Sequence, residues 1–240
     1  MLFLAPVPFF MLAIAVIGVA MVPAMWVGAY LWALSDSSTS LLKYFLRGLS
    51  LPVGFYIYGF SLLLVAPLVS FVMGGRLKPY RGSPVSFKCI GWYVQAALTF
   101  VVRYSFLEFI TPTVYLNAYF RLMGMKIGKN VYINSTHICD PSMIELGNGC
   151  TIGGSANIMG HYASGDFMVI APVKIHRKAV VGYGVTIMGD VEIGEGAKVL
   201  ANSFVLPKTR IPAGEIWGGV PAVRQNLPVK DPAIIKGTLD

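Results

Sequence analysis

Residues 175–223 read IHRKAVVGYGVTIMGDVEIGEGAKVLANSFVLPKTRIPAGEIWGGVPAV, and the spacing of aliphatic residues in this stretch decides the fold. Ile175, Val181, Ile187, Ile193, Val199, Val205 and Ile211 recur every six residues, and Trp217 and Val223 hold the same phase. Four places after each aliphatic residue comes a small or short one: Ala179, Val185, Val191, Ala197, Ser203 and Thr209. Gly182 and Gly194 directly follow aliphatic positions. A hexapeptide of this kind is one short strand plus a turn, and three of them close a triangular coil of about eighteen residues. The aliphatic side chain points into the prism and the small one fills its corner. A sandwich would instead alternate with period two over longer strands. Upstream, Ile127–Ile133 and Leu146–Ile152–Ile158 take the same six-residue step.

The phase breaks between Ile158 and Ile175. The segment MGHYASGDFMVIAPVK (159–174) must therefore leave the prism as a loop. Long excursions from a rigid scaffold commonly carry function.

The chain before the repeats has a different character. The 240 residues are 55% hydrophobic and 12% charged, with mean hydropathy +0.66, against about 25% charged in an average soluble domain. This composition excludes disorder, a collagen-like repeat and a disulfide scaffold. Asp36 is the first charged residue. Residues 2–34 exceed the approximately 20 apolar residues a spanning helix needs, with Pro6 and Pro8 at its start and Pro23 as a kink. Residues 49–73 form a second candidate span, joined to the first by SDSSTS at 35–40. A signal peptide fits poorly, because the apolar run is too long and lacks a basic start.

Residues 1–124 hold eight basic and two acidic side chains, and residues 125–240 eleven and nine. The basic excess therefore sits on the hydrophobic half, as a headgroup and positive-inside signal. A nucleic-acid protein would place it as a stripe on the polar half, so no nucleic-acid partner is expected. Arg76, Lys78, Arg81 and Lys88 follow the second span, against Lys43 and Arg47 between the spans. This places everything after residue 75 in the cytoplasm. Residues 89–123 are aromatic but interrupted by Arg103, Glu108 and Thr111-Pro112, which predicts one or two helices in the membrane interface. A helical hairpin that enters and returns gives the same sidedness. The expected organisation is two transmembrane helices in 1–75, a basic loop and interfacial helices in 76–124, a parallel β-helix in 125–228 and a tail in 229–240.

Residues 127–222 resemble the hexapeptide-repeat acyltransferases. Residues 76–222 more specifically resemble the C-terminal membrane region of poly-lysine-synthetase-type nonribosomal peptide synthetases, through GRLKPYRGSPVSF (75–87), YFRLMGMKIGKNVYI (119–133), Gly160-His161 and SFVLPKTRIPAGEIWGGVPA (203–222). The resemblance implies left-handed coils, a homotrimer and an acyl-CoA donor such as acetyl-CoA. It also implies that His161 is the general base. An acceptor hydroxyl or amine must lose a proton as it attacks a thioester carbonyl, and imidazole titrates in the right range. Asp166 is the first candidate to orient that ring, with Asn157 and Asp140 behind it. The donor's pantetheine arm is expected along a groove between subunits, near the backbone of Ala201 and Ser203 and past Gly219, with Lys208 or Arg210 on the phosphates. Val223 replaces the usual basic residue after Pro-Ala, and Arg224 follows one place later.

His176 should face outward, and His137 should fill a corner of the prism. A zinc carbonic anhydrase needs three convergent imidazoles with a His-x4-His pair. No such pair exists, so no metal is expected. Cys89, Cys139 and Cys150 form no metal motif, and Cys150 suits the core. The expected function is membrane-anchored O- or N-acyl transfer at the inner face of the cytoplasmic membrane, to a small-molecule or lipid-linked acceptor. The alternatives are a non-catalytic membrane scaffold and an amide-forming component of a poly-amino-acid or peptide pathway.

Overall fold

A computed structural model describes residues 7–226. Pro6 and the segment 227–240, which includes the expected tail, lie outside the described residues.

Two antiparallel helices open the chain, α1 (Val7–Asp36) and α2 (Ser40–Val72). At 1.5 Å per residue, the 30 and 33 residues are each long enough to cross a hydrocarbon core of about 30 Å. Their most apolar windows have mean hydropathy 2.4 and 2.0. Phe10, Ile14, Trp26, Leu64 and Phe71 are exposed, a distribution suited to lipid rather than to water. α2 starts nine residues before the expected span, so Lys43 and Arg47 ride on its first turns. Both pair with Asp36, at 3.4 and 2.7 Å, and Arg47 lies 4.9 Å from the Trp32 ring centroid.

The expected break at Thr111-Pro112 separates α3 (Ile90–Ser105) from α4 (Val114–Leu122). Thr113 caps α4, its hydroxyl accepting from the Tyr115 N–H. α3 is amphipathic. Val94, Leu98 and Val102 are buried, whereas Phe100 and Tyr104 are exposed and stacked on each other. Gln95 is fully buried on α3 and clamps three segments. Its Nε2 donates to the carbonyls of Gly75 (2.5 Å) and Met123 (3.3 Å), and its Oε1 accepts from the Ser142 hydroxyl at 3.1 Å. The end of α2, the end of α4 and the start of the second coil meet at this one amide. Gln95→Ala leaves these buried partners unmade, at about 1–3 kcal/mol each. The expected loss is about 3 kcal/mol of unfolding free energy, checked by denaturant unfolding of the chain in detergent.

The C-terminal half is a left-handed β-helix of three parallel sheets. Its first face stacks β2 (Lys126–Ile127), β5 (Ile144–Leu146), β10 (Val173–Ile175), β13 (Val191–Ile193) and β16 (Arg210–Ile211). The second stacks β3 (Tyr132–Ile133), β6 (Thr151–Ile152), β11 (Val180–Val181), β14 (Lys198–Val199) and β17 (Ile216–Gly218). The third stacks β4 (Ile138–Cys139), β7 (Asn157–Met159), β12 (Thr186–Ile187) and β15 (Phe204–Val205). Ile175 faces Ile193, which faces Ile211, and Ile158 faces Ile187, which faces Val205. Each of these aliphatic side chains is buried, a gain of about 1.5–3 kcal/mol apiece. Ala179, Val185, Val191, Ala197 and Ser203 are buried at the corners.

The period predicts a longer prism than the one formed. Trp217 is only partly buried and Val223 is exposed. Gly219 takes φ 99° and turns the chain back, so β18 (Val223–Arg224) runs antiparallel to β17 with Arg224 opposite Trp217.

A second break lies upstream, where Ile133 steps to Ile138. Here residues 19 or 20 apart pair between the first two coils, as in Ile133 with Ile152 and Ile138 with Ile158. Ser135 and Thr136 fill this corner, and His137 is displaced to the outer face rather than sitting in it. The extra residues form a short 3-10 turn (Pro141–Met143) entered through Asp140 in the left-handed conformation, φ 59°.

The excursion at 159–174 is a β-hairpin rather than an open loop. β8 (His161–Ser164) pairs with β9 (Phe167–Ile170), with Gly165 at φ 59° in the turn. The segment following α2 adds β1 (Tyr80–Gly82) to the other edge of β9.

Candidate active site

His161 begins β8 where the hairpin leaves the third face of the prism. Gly189, one coil further on, packs against its backbone, since a Cβ there would lie 3.1 Å from the His161 nitrogen. Gly160 before it admits no side chain either: a Cβ would lie 2.6 Å from Met143 Cβ and 3.1 Å from Asp140 Cβ. This close approach brings the imidazole to the 3-10 corner of the first coil. Its Nδ1 lies 2.5 Å from Asp140 Oδ2.

Asp140 is 1% exposed and its Oδ1 has no hydrogen-bond partner. A buried carboxylate needs compensation, and here the imidazole supplies it. With its proton on Nδ1 facing the carboxylate, the ring would present Nε2 as its free lone pair. Asp140 takes the left-handed backbone conformation (φ 59°), as do Asn130, Ser155, Lys178, Asp190, Asn202 and Lys208, a conformation that Asp and Asn tolerate better than most residues.

Trp92 of α3 meets the His161 ring edge-on, with centroids 5.1 Å apart. Between α3 and the first two strands of the third face lies a cavity of about 320 Å³, which His161 and Asp140 also line. Trp92, Ala96, Thr99 and Arg103 contribute from α3, at helical spacing i, i+4, i+7 and i+11, and Cys139 and Met159 from the prism. Burial first, and then the Asp140 carboxylate, push the Cys139 thiol up to about 11, with Arg103 acting the other way. It therefore stays protonated near neutrality and is a poor nucleophile. Its alkylation by iodoacetamide at pH 8 is expected about 100-fold slower than for an unperturbed thiol, two pKa units of lost thiolate. A mass-spectrometric time course checks this.

The other expected residues fall in several places. Asp166 sits in the exposed turn at the far end of the hairpin, and the carboxylate on the ring is Asp140 instead. The hairpin is the reason: residues five apart on β8 and its turn point away from each other, whereas the prism brings residues 21 apart together. Asn157 stands on β7 outside the cavity lining, its N–H donating to the Val185 carbonyl at 2.8 Å. Ala201 lies in the exposed turn between β14 and β15. The Ser203 hydroxyl donates to the Leu200 carbonyl (2.6 Å) and accepts from the Gly219 N–H (3.2 Å), which ties two of the expected donor-site residues together.

Lys208 is exposed at φ 66° in the turn between β15 and β16. This is the prism edge that carries His161, two coils along, or about 10 Å at the usual strand spacing. Arg210 has protein partners: Asp190 at 2.5 Å and Glu192 at 3.8 Å. It closes an alternating ladder of Lys126, Glu145, Lys174, Glu192 and Arg210 along the first face.

His176 faces outward and lies 2.6 Å from Glu192. This contact is the main reason the Glu192 carboxyl titrates below its usual range. His137 lines a separate polar pocket with Glu108 and Asn134. Burial, reinforced by Arg103 and opposed by Glu108, holds its pKa below the ordinary value. The three histidines thus lie in three different surroundings. Among the described residues no group of three or more His, Cys, Asp or Glu could hold a metal ion. Cys150 is buried in the prism, its thiol against the Ile175 and His176 carbonyls.

No family model matches the chain. It is 31% identical over 107 residues to the Delta-poly-L-ornithine synthetase of Acinetobacter baumannii (strain AB307-0294), covering 45% of this chain and 8% of that protein. It is 37% identical over 93 residues to the mitochondrial gamma carbonic anhydrase 2 of Arabidopsis thaliana, covering 38% of this chain and 29% of that protein. The chain thus spans less than a third of the length of either curated relative. Among solved structures it is similar to a hexapeptide-repeat-containing acetyltransferase of Vibrio cholerae O1 biovar eltor complexed with acetyl coenzyme A. That match has TM-score 0.48 and 20% identity, and covers 66% of this chain and 98% of that one. A Neisseria gonorrhoeae serine acetyltransferase in complex with serine is similar at TM-score 0.41 and 17% identity, with 70% and 56% covered.

Proposed function

We propose that the chain is a membrane-anchored, acyl-CoA-dependent O- or N-acyltransferase in which His161 is the general base. The observation that carries this reading is the His161 imidazole held by the buried Asp140 carboxylate at the wall of a cavity. The acceptor hydroxyl or amine gives its proton to His161 Nε2 as its oxygen or nitrogen bonds to the thioester carbonyl carbon. Asp140 stabilises the imidazolium so formed. The tetrahedral intermediate then expels the thiolate of CoA, which takes the proton back from Nε2.

In this reading α1 and α2 cross the cytoplasmic membrane, and the excess of Arg76, Lys78, Arg81 and Lys88 keeps the β-helix on the cytoplasmic side, where acyl-CoA is available. The donor runs along prism edges. Lys208 is placed for its phosphates, and the Ala201–Ser203–Gly219 corner for its pantetheine arm. These positions lie on different edges of one prism, so they serve one ligand only if neighbouring protomers each supply one, as in a homotrimer. Arg210, engaged with Asp190 and Glu192, is a weaker phosphate contact than Lys208.

The similarity to a poly-ornithine synthetase favours a second reading: the same base, serving amide formation in a poly-amino-acid pathway. There the thioester belongs to a carrier rather than to CoA. A thermal-shift titration of the purified chain with CoA separates the two. Binding to the folded state at 100 times the dissociation constant adds about 2.7 kcal/mol of apparent stability. The acyl-CoA reading expects that shift, and a carrier-fed enzyme or a scaffold leaves the melting temperature unchanged.

A further inference from the structure

The cavity beside His161 carries charge information that the transfer chemistry does not use. Arg103 is the one ionised residue on α3. Among the described residues no carboxylate stands within ion-pair distance of it, and its buried Nε has no hydrogen-bond partner. Asp140, the other ionised group lining the cavity, is committed to His161. At the opposite end of the lining, the buried Trp92 Nε1 also lacks an acceptor. Buried donors left unmade are costly and uncommon, and three of them, Trp92 Nε1, the Thr99 hydroxyl and Arg103 Nε, share one helix face turned to one cavity. The rest of the lining is mainly apolar. Phe100, which lines the cavity, is also 51% exposed on the aromatic side of α3, so the cavity borders the surface that Phe100 and Tyr104 present.

We propose that this cavity selects the acceptor as an amphiphile bearing an anionic group, a carboxylate or a phosphate, which is held by Arg103. Its nucleophilic hydroxyl or amine lies at the Trp92–His161 end, and its apolar part passes Phe100 toward the lipid. The proposal rests on the acyl-transfer reading of His161 and adds the acceptor's chemical class to it. The negative charge of Asp140 reinforces the polarity of the site, keeping the anion at the Arg103 end and away from the base.

The test measures binding without turnover, using the full chain in nanodiscs of zwitterionic lipid. Trp26, Trp32 and Trp217 are replaced by Phe, so that Trp92 alone reports. The probes are N-dodecanoylglycine, its methyl ester and dodecyl phosphate. At least one anionic probe is expected to bind ten-fold or more tightly than the ester. Preference for the glycine conjugate identifies a carboxylate, and preference for dodecyl phosphate a phosphate headgroup. Arg103→Gln is expected to weaken the preferred anion 10- to 100-fold, the range for loss of one charge-assisted contact, and to leave the ester unchanged. Ester binding therefore doubles as the check on folding. Should that variant not fold, Arg103→Lys decides, since it keeps the charge but loses the planar fork: a three- to ten-fold loss confined to the anions is expected. Ester bound as tightly as both anions, or anion affinity indifferent to these substitutions, overturns the proposal. Failure of the acyl-transfer reading looks different: charge-dependent binding persists and no thiol is released from acetyl-CoA.

Discussion

Replacing His161 by Ala is expected to lower the rate of thiol release from acetyl-CoA by roughly 10²–10⁴-fold, the range a positioned general base supplies. The assay uses the full chain in vesicles, with a lipid and metabolite extract as the acceptor source. The effect belongs in kcat, because the Nε2 proton transfer occurs only as the acceptor attacks. CoA affinity should stay within about two-fold, since the proposed donor edges at Lys208 and at Ala201–Ser203–Gly219 are built without the ring. Folding should survive with reduced stability, because the buried Asp140 carboxylate loses the imidazole that compensates it. The aliphatic positions of the prism are filled independently of His161, and its side chain is 22% exposed. Turnover equal to wild type in a folded His161→Ala chain would exclude this residue as the base.

Asp140→Asn preserves the shape of the corner and removes the charge. The carboxamide accepts the Nδ1 proton only in one of its two orientations, and it no longer stabilises the imidazolium. An expected loss of about 10²–10³-fold in kcat follows, with KM for acetyl-CoA little changed. The same variant discriminates between the carboxylates, because Asp166→Asn, at an exposed hairpin turn, is expected to act within about two-fold of wild type. A severe loss in Asp166→Asn together with a mild one in Asp140→Asn would assign the roles the other way round.

The prism was legible because six-residue spacing is a local property: Ile175 to Ile211 can be counted along the chain without knowing what they touch. The candidate base was legible for the same reason, since a segment out of phase has to leave the prism and His161 sits at its start. The carboxylate beside it was harder to read. Asp140 lies 21 residues away, behind a five-residue step from Ile133 to Ile138 that the period alone does not flag. Asp166 is nearer in sequence but is carried off by the hairpin. That irregular step is why Asp140 ranks only as a weaker candidate in the sequence: nothing local shows that its corner meets the ring one coil further on. The cavity was out of reach of any local pattern. Trp92 and Arg103 fall in a stretch whose aromatic content reads as membrane interface, and only the packing of α3 against the third face turns them toward His161. Gln95 was hidden likewise: one polar residue in an apolar helix gives no sign that three chain segments meet on it. The prism's end was over-read because Trp217 and Val223 keep the phase, while Gly218-Gly219 turns the chain out of it.

If Asp140 contributes to turnover only through His161, a double-mutant cycle of the two residues must be non-additive. Thiol release is measured for wild type, Asp140→Asn, His161→Ala and the double variant under the same conditions. Groups that act as one unit are strongly non-additive, so the double variant is expected to match His161→Ala within about two-fold. Losses that multiply, leaving the double variant 10²-fold or more below His161→Ala, would contradict it.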